Sequence, residues 1–246
     1  MTDGTAGRDG LARHARALAD ARRTGTLIPE PLAGQLNDID EADALRREAE
    51  RALGWRPIGH KIGATSSTIQ QRLGADGPFH SALFAERSCA SGATVQLPEG
   101  VLGIECEIAV KIEKTPASPP KTLATAARVI ASVHPAIELV GVRTPGGLTP
   151  DVRACIADFG LSAAFVCGSD VSPRRLPDLA TLPVTARVNG TECATGTGAQ
   201  VLGHPLAAIV YLADALAREG RKLRGGDWVT TGTCVGIVPV GPGDRV

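Results

Sequence analysis

Ile104-Glu105-Cys106-Glu107-Ile108-Ala109-Val110 is an apolar run broken by two carboxylates one residue apart, and a third acid, Glu138, sits inside a second such run, Ala136-Ile137-Glu138-Leu139-Val140. Both read as strands that are covered on both faces, because such near-continuous hydrophobic segments are generally buried. On an extended chain alternate side chains share a face, so Glu105 and Glu107 point one way while Cys106 and Ile108 point the other. A carboxylate in those surroundings either takes up a proton or lies beside a positive charge. All-oxygen ligation suits a hard divalent ion such as Mg2+ or Mn2+. The alternative is an exposed Glu ladder bridged to some of the 26 Lys and Arg residues, which is how a lone Glu-x-Glu usually occurs. Glu138, with Ile137, Leu139, Val140 and Val142 around it, favours the buried cation site.

Outward from these strands the chain divides in two. Residues 1–56 read as a helical N-terminal unit: a segment near 8–24, a turn at Ile28-Pro29-Glu30-Pro31, and a helix over 40–53 with an acidic start and Gly54 as its stop. Residues 57–246 read as a β-rich domain, with strands expected at 58–64, 94–97, 105–112, 137–142, 163–167, 184–189, 228–231 and 236–240. Asn189-Gly190 between Val188 and Thr191 is a tight-hairpin signal. Two helices interrupt the strands, one over 122–133 and one over 206–218, the latter with Pro205 suited to a first helical position and Gly220 to the C-terminal end. The expected fold class is therefore α+β: a mixed β roll or barrel-like sheet with a few helices, preceded by a small helical unit.

Composition excludes several functions. With 26 basic and 26 acidic residues the net charge is zero, which gives neither a nucleic-acid footprint nor an electrostatic membrane anchor. The six cysteines form no Cys-x-x-Cys pair, so neither a zinc ribbon nor a redox motif is present, and reduced thiols in a cytoplasmic protein are expected. No apolar run reads as a membrane span of about 20 residues. The Arg-rich stretch 11–23 places Leu11, Ala15, Leu18 and Ala19 on one face and retains Asp20, as a folded amphipathic helix does.

Several segments, in order, resemble the 2-keto-4-pentenoate hydratase and 4-oxalocrotonate decarboxylase branch of the fumarylacetoacetate hydrolase superfamily. They are Gly59-His60-Lys61-Ile62-Gly63-Ala64-Thr65, Leu73-Gly74-Ala75-Asp76-Gly77-Pro78, the two acidic strands with His134-Pro135, Ala157-Asp158, Val201-Leu202-Gly203-His204-Pro205-Leu206, Thr231-Gly232 and Pro242-Gly243-Asp244-Arg245. The resemblance implies a roll of the fumarylacetoacetate hydrolase C-terminal type and a divalent metal, Mg2+ or Mn2+, on Glu105, Glu107 and Glu138. Glu rather than Asp at the third position points to the hydratase and decarboxylase branch. It also implies Lys61 and Asp76 as acid-base residues, Ser162 and Thr231 as substrate-binding hydroxyls, and a homo-oligomer able to associate with a related decarboxylase or hydratase. The expected activity is addition of water to a 2-hydroxy-2,4-dienoate, giving a 4-hydroxy-2-oxo acid. The alternatives are decarboxylation of a 2-oxo-enedioate, hydrolysis of the fumarylacetoacetate type, or a non-catalytic subunit.

The chain departs from the branch at Phe159, where an Asn commonly follows Ala-Asp, and at His134, where an apolar residue is common. A second substrate carboxylate would need a cation such as His80, Arg87 or Arg143. Burial near a metal would lower the Lys61 pKa. Backbone N–H groups at Gly196-Thr197-Gly198 could receive a carboxylate, whereas no dinucleotide or P-loop motif is present. His204 reads as a helix cap. Only 3% of residues are aromatic, which is compatible with a small dienoate.

Overall fold

A computed structural model of the protein describes residues 3–171 and 178–246. Its framework is a seven-stranded mixed sheet curled into a half-barrel, in the order β2-β1-β9-β4-β5-β6-β3. These strands are β1 (Pro57–Gly63), β2 (Phe79–Phe84), β3 (Ser88–Ala90), β4 (Val101–Ile112), β5 (Ile130–Gly141), β6 (Ser162–Cys167) and β9 (Trp228–Val238). β1 runs parallel to β9 and β3 parallel to β6, and the remaining neighbours are antiparallel. A separate hairpin, β7 (Pro183–Val188) and β8 (Thr191–Thr197), turns at Asn189 and Gly190, with φ of 53° and 82°. Two positive φ values in sequence are what a type I′ turn requires, as the Asn-Gly pair indicates.

Helix α6 (Pro205–Arg218) covers one part of the sheet, burying Ile209, Leu212 and Leu216 against Ile62, Ile108, Val110 and Val229. The His204 side chain accepts a hydrogen bond from Leu206 N at 3.0 Å, so it caps this helix as expected. The 21-residue stretch Gly198–Arg218 is apolar and long enough to cross a membrane, which the sequence reading overlooked, yet half of its apolar window is buried within the fold. Its hydrophobicity is that of a core helix.

The N-terminal helices α1 (Asp3–Thr24) and α2 (Ile39–Leu53) pack on another part of the sheet. α2 is bounded as its sequence demands, with the Asp38 side chain accepting from Glu41 N and Gly54 left-handed at its end. Leu18 and Ala19 of α1 and Leu45 and Ala49 of α2 share one buried cluster with Phe79 and Phe84 of β2 and with Cys155 of α5 (Val152–Ala157). The helical arm is thus continuous with the core that flanks β2.

Three local expectations are corrected. Residues 94–97 form no strand. The helix expected over 122–133 is only α4 (Leu123–Ala127), because Ile130 and Val133 pair with Ile112 and Val110 as the start of β5. There the β-branched residues find a sheet neighbour, which outweighs the helix preference of the alanines. The runs 228–231 and 236–240 belong to one strand, β9, bulged between them. β2, β8, α5 and α3 (Ser67–Leu73) complete the fold.

Candidate metal centre

β4 and β5 bring the three acids together by register. Glu105 lies directly opposite Glu138, and Glu107, two residues along β4, shares its face. One carboxylate oxygen from each lies within 4.8 Å of the others. β9 closes the opposite side of β4 with register shifts on both sides of Glu107. This bulge turns the Gly232 N–H towards Glu107 Oε2, at 2.8 Å. Gly232 has φ of 114°, and a Cβ there would lie 2.3 Å from Thr65 Oγ1, so both the turn and the close approach demand glycine.

The electrostatics are those of a cluster suited to a cation. Glu138 and Glu107 are buried, and Glu107 Oε1 and both Glu138 oxygens have no hydrogen-bond partner. Burial raises the Glu107 pKa well above the usual carboxylate range, with Glu138 and Glu105 adding repulsion. Burial likewise pushes Glu105 up to about 7 against the attraction of Lys61. Three converging carboxylates with unused lone pairs fit a hard divalent cation.

Lys61 reaches this cluster from β1 and is buried. Its Nζ donates to Gly160 O at 2.9 Å and lies 3.2 Å from Glu138 Oε2 without hydrogen-bond alignment. The Phe79 ring centroid is 5.7 Å from Nζ, and a Cβ at Gly63 would meet that ring at 2.4 Å, so the glycine beside Lys61 lets the ring close in. The lowering expected for Lys61 belongs to a metal-loaded site, and the carboxylate cluster by itself acts the other way. Burial does lower it, but Glu138, Glu105 and Glu107 outweigh burial and the net direction is up.

A cavity of about 260 Å3 opens beside Lys61 and Glu105, walled by Val140, Leu148, Leu161, Phe79 and Ile237, with Arg72 also in its lining. Ser162, Thr231 and Asp76 are not among its lining residues. Thr231 is buried and donates its hydroxyl to Ile108 O at 2.7 Å, so it braces β4 instead of facing the cavity. Ser162 is buried at the start of β6, and its carbonyl accepts from Arg22 Nη1 and Arg143 Nη2. Asp76 lies exposed in the bend after α3, three residues from the lining residues Leu73 and Phe79 on either side.

The three cations considered for a second carboxylate are engaged elsewhere. His80 meets Glu219 at 2.9 Å, and Arg143 Nη1 pairs with Asp158 Oδ1 at 2.8 Å. The Arg87 guanidinium lies over Trp55 at 5.5 Å. His134 bonds Ser132 Oγ at 2.7 Å and Gly168 O at 3.1 Å and packs on Trp228, so its place is structural. Sequence reasoning did not reach Gly160 or Arg22. Glycine in a short polar-apolar turn and one arginine among several on an amphipathic helix carry no distinguishing pattern.

Residues 66–246 match the family model described as fumarylacetoacetate (FAA) hydrolase C-terminal. The chain is 35% identical to the TodF product hydratase of Pseudomonas putida, over 99% of this chain and 93% of that protein. It is 34% identical to 2-keto-4-pentenoate hydratase of Paraburkholderia xenovorans, over 94% of this chain and 87% of the relative. Its fold superimposes with a TM-score of 0.87 on 4-oxalocrotonate decarboxylase from Pseudomonas putida G7, complexed with magnesium and adipate, at 28% identity over 96% of this chain and 92% of that one. By its sequence match and its fold, the chain belongs to the fumarylacetoacetate hydrolase family.

Proposed function

We propose that the protein is a Mg2+- or Mn2+-dependent hydro-lyase that adds water to a 2-hydroxy-2,4-dienoate such as 2-hydroxypenta-2,4-dienoate, giving the 4-hydroxy-2-oxo acid. The observation that carries this reading is the convergence of Glu105, Glu107 and Glu138 within 4.8 Å beside buried Lys61. Those three carboxylates would hold the ion, leaving positions for the carboxylate and 2-oxo oxygens of substrate. A divalent cation there supplies Lewis-acid polarisation of the 2-oxo group.

The chain's own residues do the rest. Lys61 Nζ, held between Gly160 O and Glu138, gives a proton to C5 as the dienol is ketonised, and the proton leaving the 2-hydroxyl replaces it on the amine. The resulting 2-oxo-3-ene is electrophilic at C4, where the hydroxyl of water adds while the remaining proton of that water goes to C3. Val140, Leu148, Leu161 and Ile237 hold the hydrocarbon end and exclude bulk water. Asp76 is proposed as the second acid-base group, because the segment bearing it flanks the cavity on both sides. Thr231 acts in this reading by bracing β4 through its hydroxyl, and Ser162 through the carbonyl that Arg22 and Arg143 grip.

Decarboxylation of a 2-oxo-enedioate is the second reading, supported by the likeness to 4-oxalocrotonate decarboxylase. Hydration is favoured by the likeness to the TodF product hydratase and 2-keto-4-pentenoate hydratase, and by a cavity wall around Lys61 that is largely apolar, with Arg72 in its lining, while His80, Arg87 and Arg143 have other partners. Homo-oligomeric assembly and a cytoplasmic location belong to the same proposal on family grounds. The test is an assay of purified protein with Mg2+ on 2-hydroxypenta-2,4-dienoate and, separately, on 2-oxohex-3-enedioate, with products identified by mass. Gain of one water by the first substrate is expected. Carbon dioxide release from the second, without turnover of the first, would assign the decarboxylase.

A further inference from the structure

Helix α1 carries Arg22 into the interior, where its side chain is buried. Arg22 Nη1 donates to Ser162 O, and its Cζ lies 4.7 Å from the centroid of the Phe159 ring, within cation–π range. Arg143, which shares the Ser162 carbonyl, is neutralised by Asp158 at 2.8 Å. Arg22 has no carboxylate within ion-pair distance among the described residues, and its buried Nε has no hydrogen-bond partner. A guanidinium so placed, beside a second one, is unfavourable for folding, and an apolar side chain of similar length would fill the space at no such cost. Conflicts of this kind concentrate at functional sites.

What Arg22 grips is the two ends of an unusual turn. Phe159, Gly160 and Leu161 all have positive φ, at 52°, 60° and 67°. The left-handed conformation is unfavourable for each of the two residues that bear a side chain, so the surroundings must impose it. The product of the turn is one carbonyl, Gly160 O, aimed at Lys61 Nζ at 2.9 Å. A Cβ at Gly160 would lie 3.3 Å from Lys61 Cδ and 3.1 Å from Ser81 Cβ, which shows how closely the turn is pressed on the lysine.

We infer that Arg22 is a positioning residue for Lys61: by holding the Phe159 ring and the Ser162 carbonyl it fixes the left-handed turn whose Gly160 carbonyl orients the lysine ammonium. The N-terminal helix thereby reaches the reacting group through one side chain and one turn. The inference rests on the proposed proton-transfer role of Lys61.

The test compares wild type, R22M and R22K as Mg2+-loaded full-length proteins. The measurements are kcat and KM on the dienoate, Mn2+ affinity, Tm, and hydrogen exchange of peptides covering 158–162. For R22M the expected result is a kcat lower by about tenfold or more, on the scale that small misplacements of catalytic groups produce. KM and Mn2+ affinity stay within about twofold, in keeping with an effect confined to the reacting geometry. Its Tm is equal or higher, and exchange is faster at 158–162 alone. R22K, which keeps a donor for Ser162 O, recovers most of the kcat. Wild-type kcat in R22M, or a fall matched by parallel losses of Mn2+ affinity and Tm, overturns the inference. If wild type itself does not hydrate the dienoate, the proposed function fails; the inference is then decided by exchange, and unchanged exchange at 158–162 in R22M overturns it.

Discussion

Glu105, Glu107 and Glu138 set the character of this protein one residue at a time. Each was legible in the sequence because a carboxylate inside an apolar strand is an anomaly that demands a partner. The raised pKa values of Glu105 and Glu107 lead to a pH dependence whose sign is fixed. A carboxyl whose folded pKa, about 7 for Glu105, exceeds its ordinary value near 4.5 is protonated preferentially in the folded state. Its contribution to the stability of the metal-free protein is complete below the ordinary value and is lost as pH rises through about 7. The cation requires the ionised form, so its binding tightens over the same range. The rise in Tm produced by saturating Mg2+ should accordingly be larger at about pH 8 than at about pH 6 by calorimetry. A rise of equal size at both values would contradict the coupling.

The same residue-by-residue view explains what the sequence did not disclose. Thr231 and Ser162 have the right chemistry for a binding pocket, but the Thr231 hydroxyl is committed to Ile108 O, and Ser162 is buried outside the cavity lining, with its carbonyl gripped by two arginines. Backbone demand for hydrogen bonds is invisible in a string of letters. Lys61 was legible as a buried partner of the acids. The direction of its pKa was not, because that depends on whether three carboxylates or a cation dominates its surroundings.

At the level of elements, β4 and β5 place the acids and β9 completes the site. The shared face of Glu105 and Glu107 was implicit in strand alternation and the two acidic runs mark both strands, whereas the register that sets Glu105 opposite Glu138 was not legible. The β9 bulge was hidden: Thr231-Gly232 and Gly236 read as a break between two strands, whereas they form one strand wrapped around Glu107. A G232A change should therefore act on metal binding. The Cβ would collide with Thr65 and strain a φ of 114°, moving the N–H that holds Glu107. We expect Mn2+ affinity to fall by about 10-fold or more, the scale seen when a group that orients a metal ligand is lost. An unchanged Kd by isothermal titration would show that the bulge does not orient Glu107. The helix expected over 122–133 failed for a related reason, since Ile130 and Val133 answer to their β4 neighbours and not to the local run of alanines.

Taken whole, the molecule is a half-barrel whose helical arm is built into the same core as β2. Segment composition separated residues 1–56 from the rest, yet Arg22 links α1 to the Phe159–Leu161 turn and so to Lys61. That link depends on contacts between residues about 140 positions apart and no local pattern reports it. The carboxylate centre is where these layers meet, and the account stands or falls on its cation. The most direct measurement is a calorimetric titration of metal-free protein with Mn2+ at about pH 8, above the value of about 7 to which Glu105 is pushed, for wild type, E107Q and E138Q. One tight site per chain in wild type, weakened by about 100-fold or more in each variant, is the predicted result, because losing a direct ligand should exceed the 10- to 100-fold effect of an outer-shell partner. Binding of equal strength in all three proteins would contradict it and place the cation elsewhere.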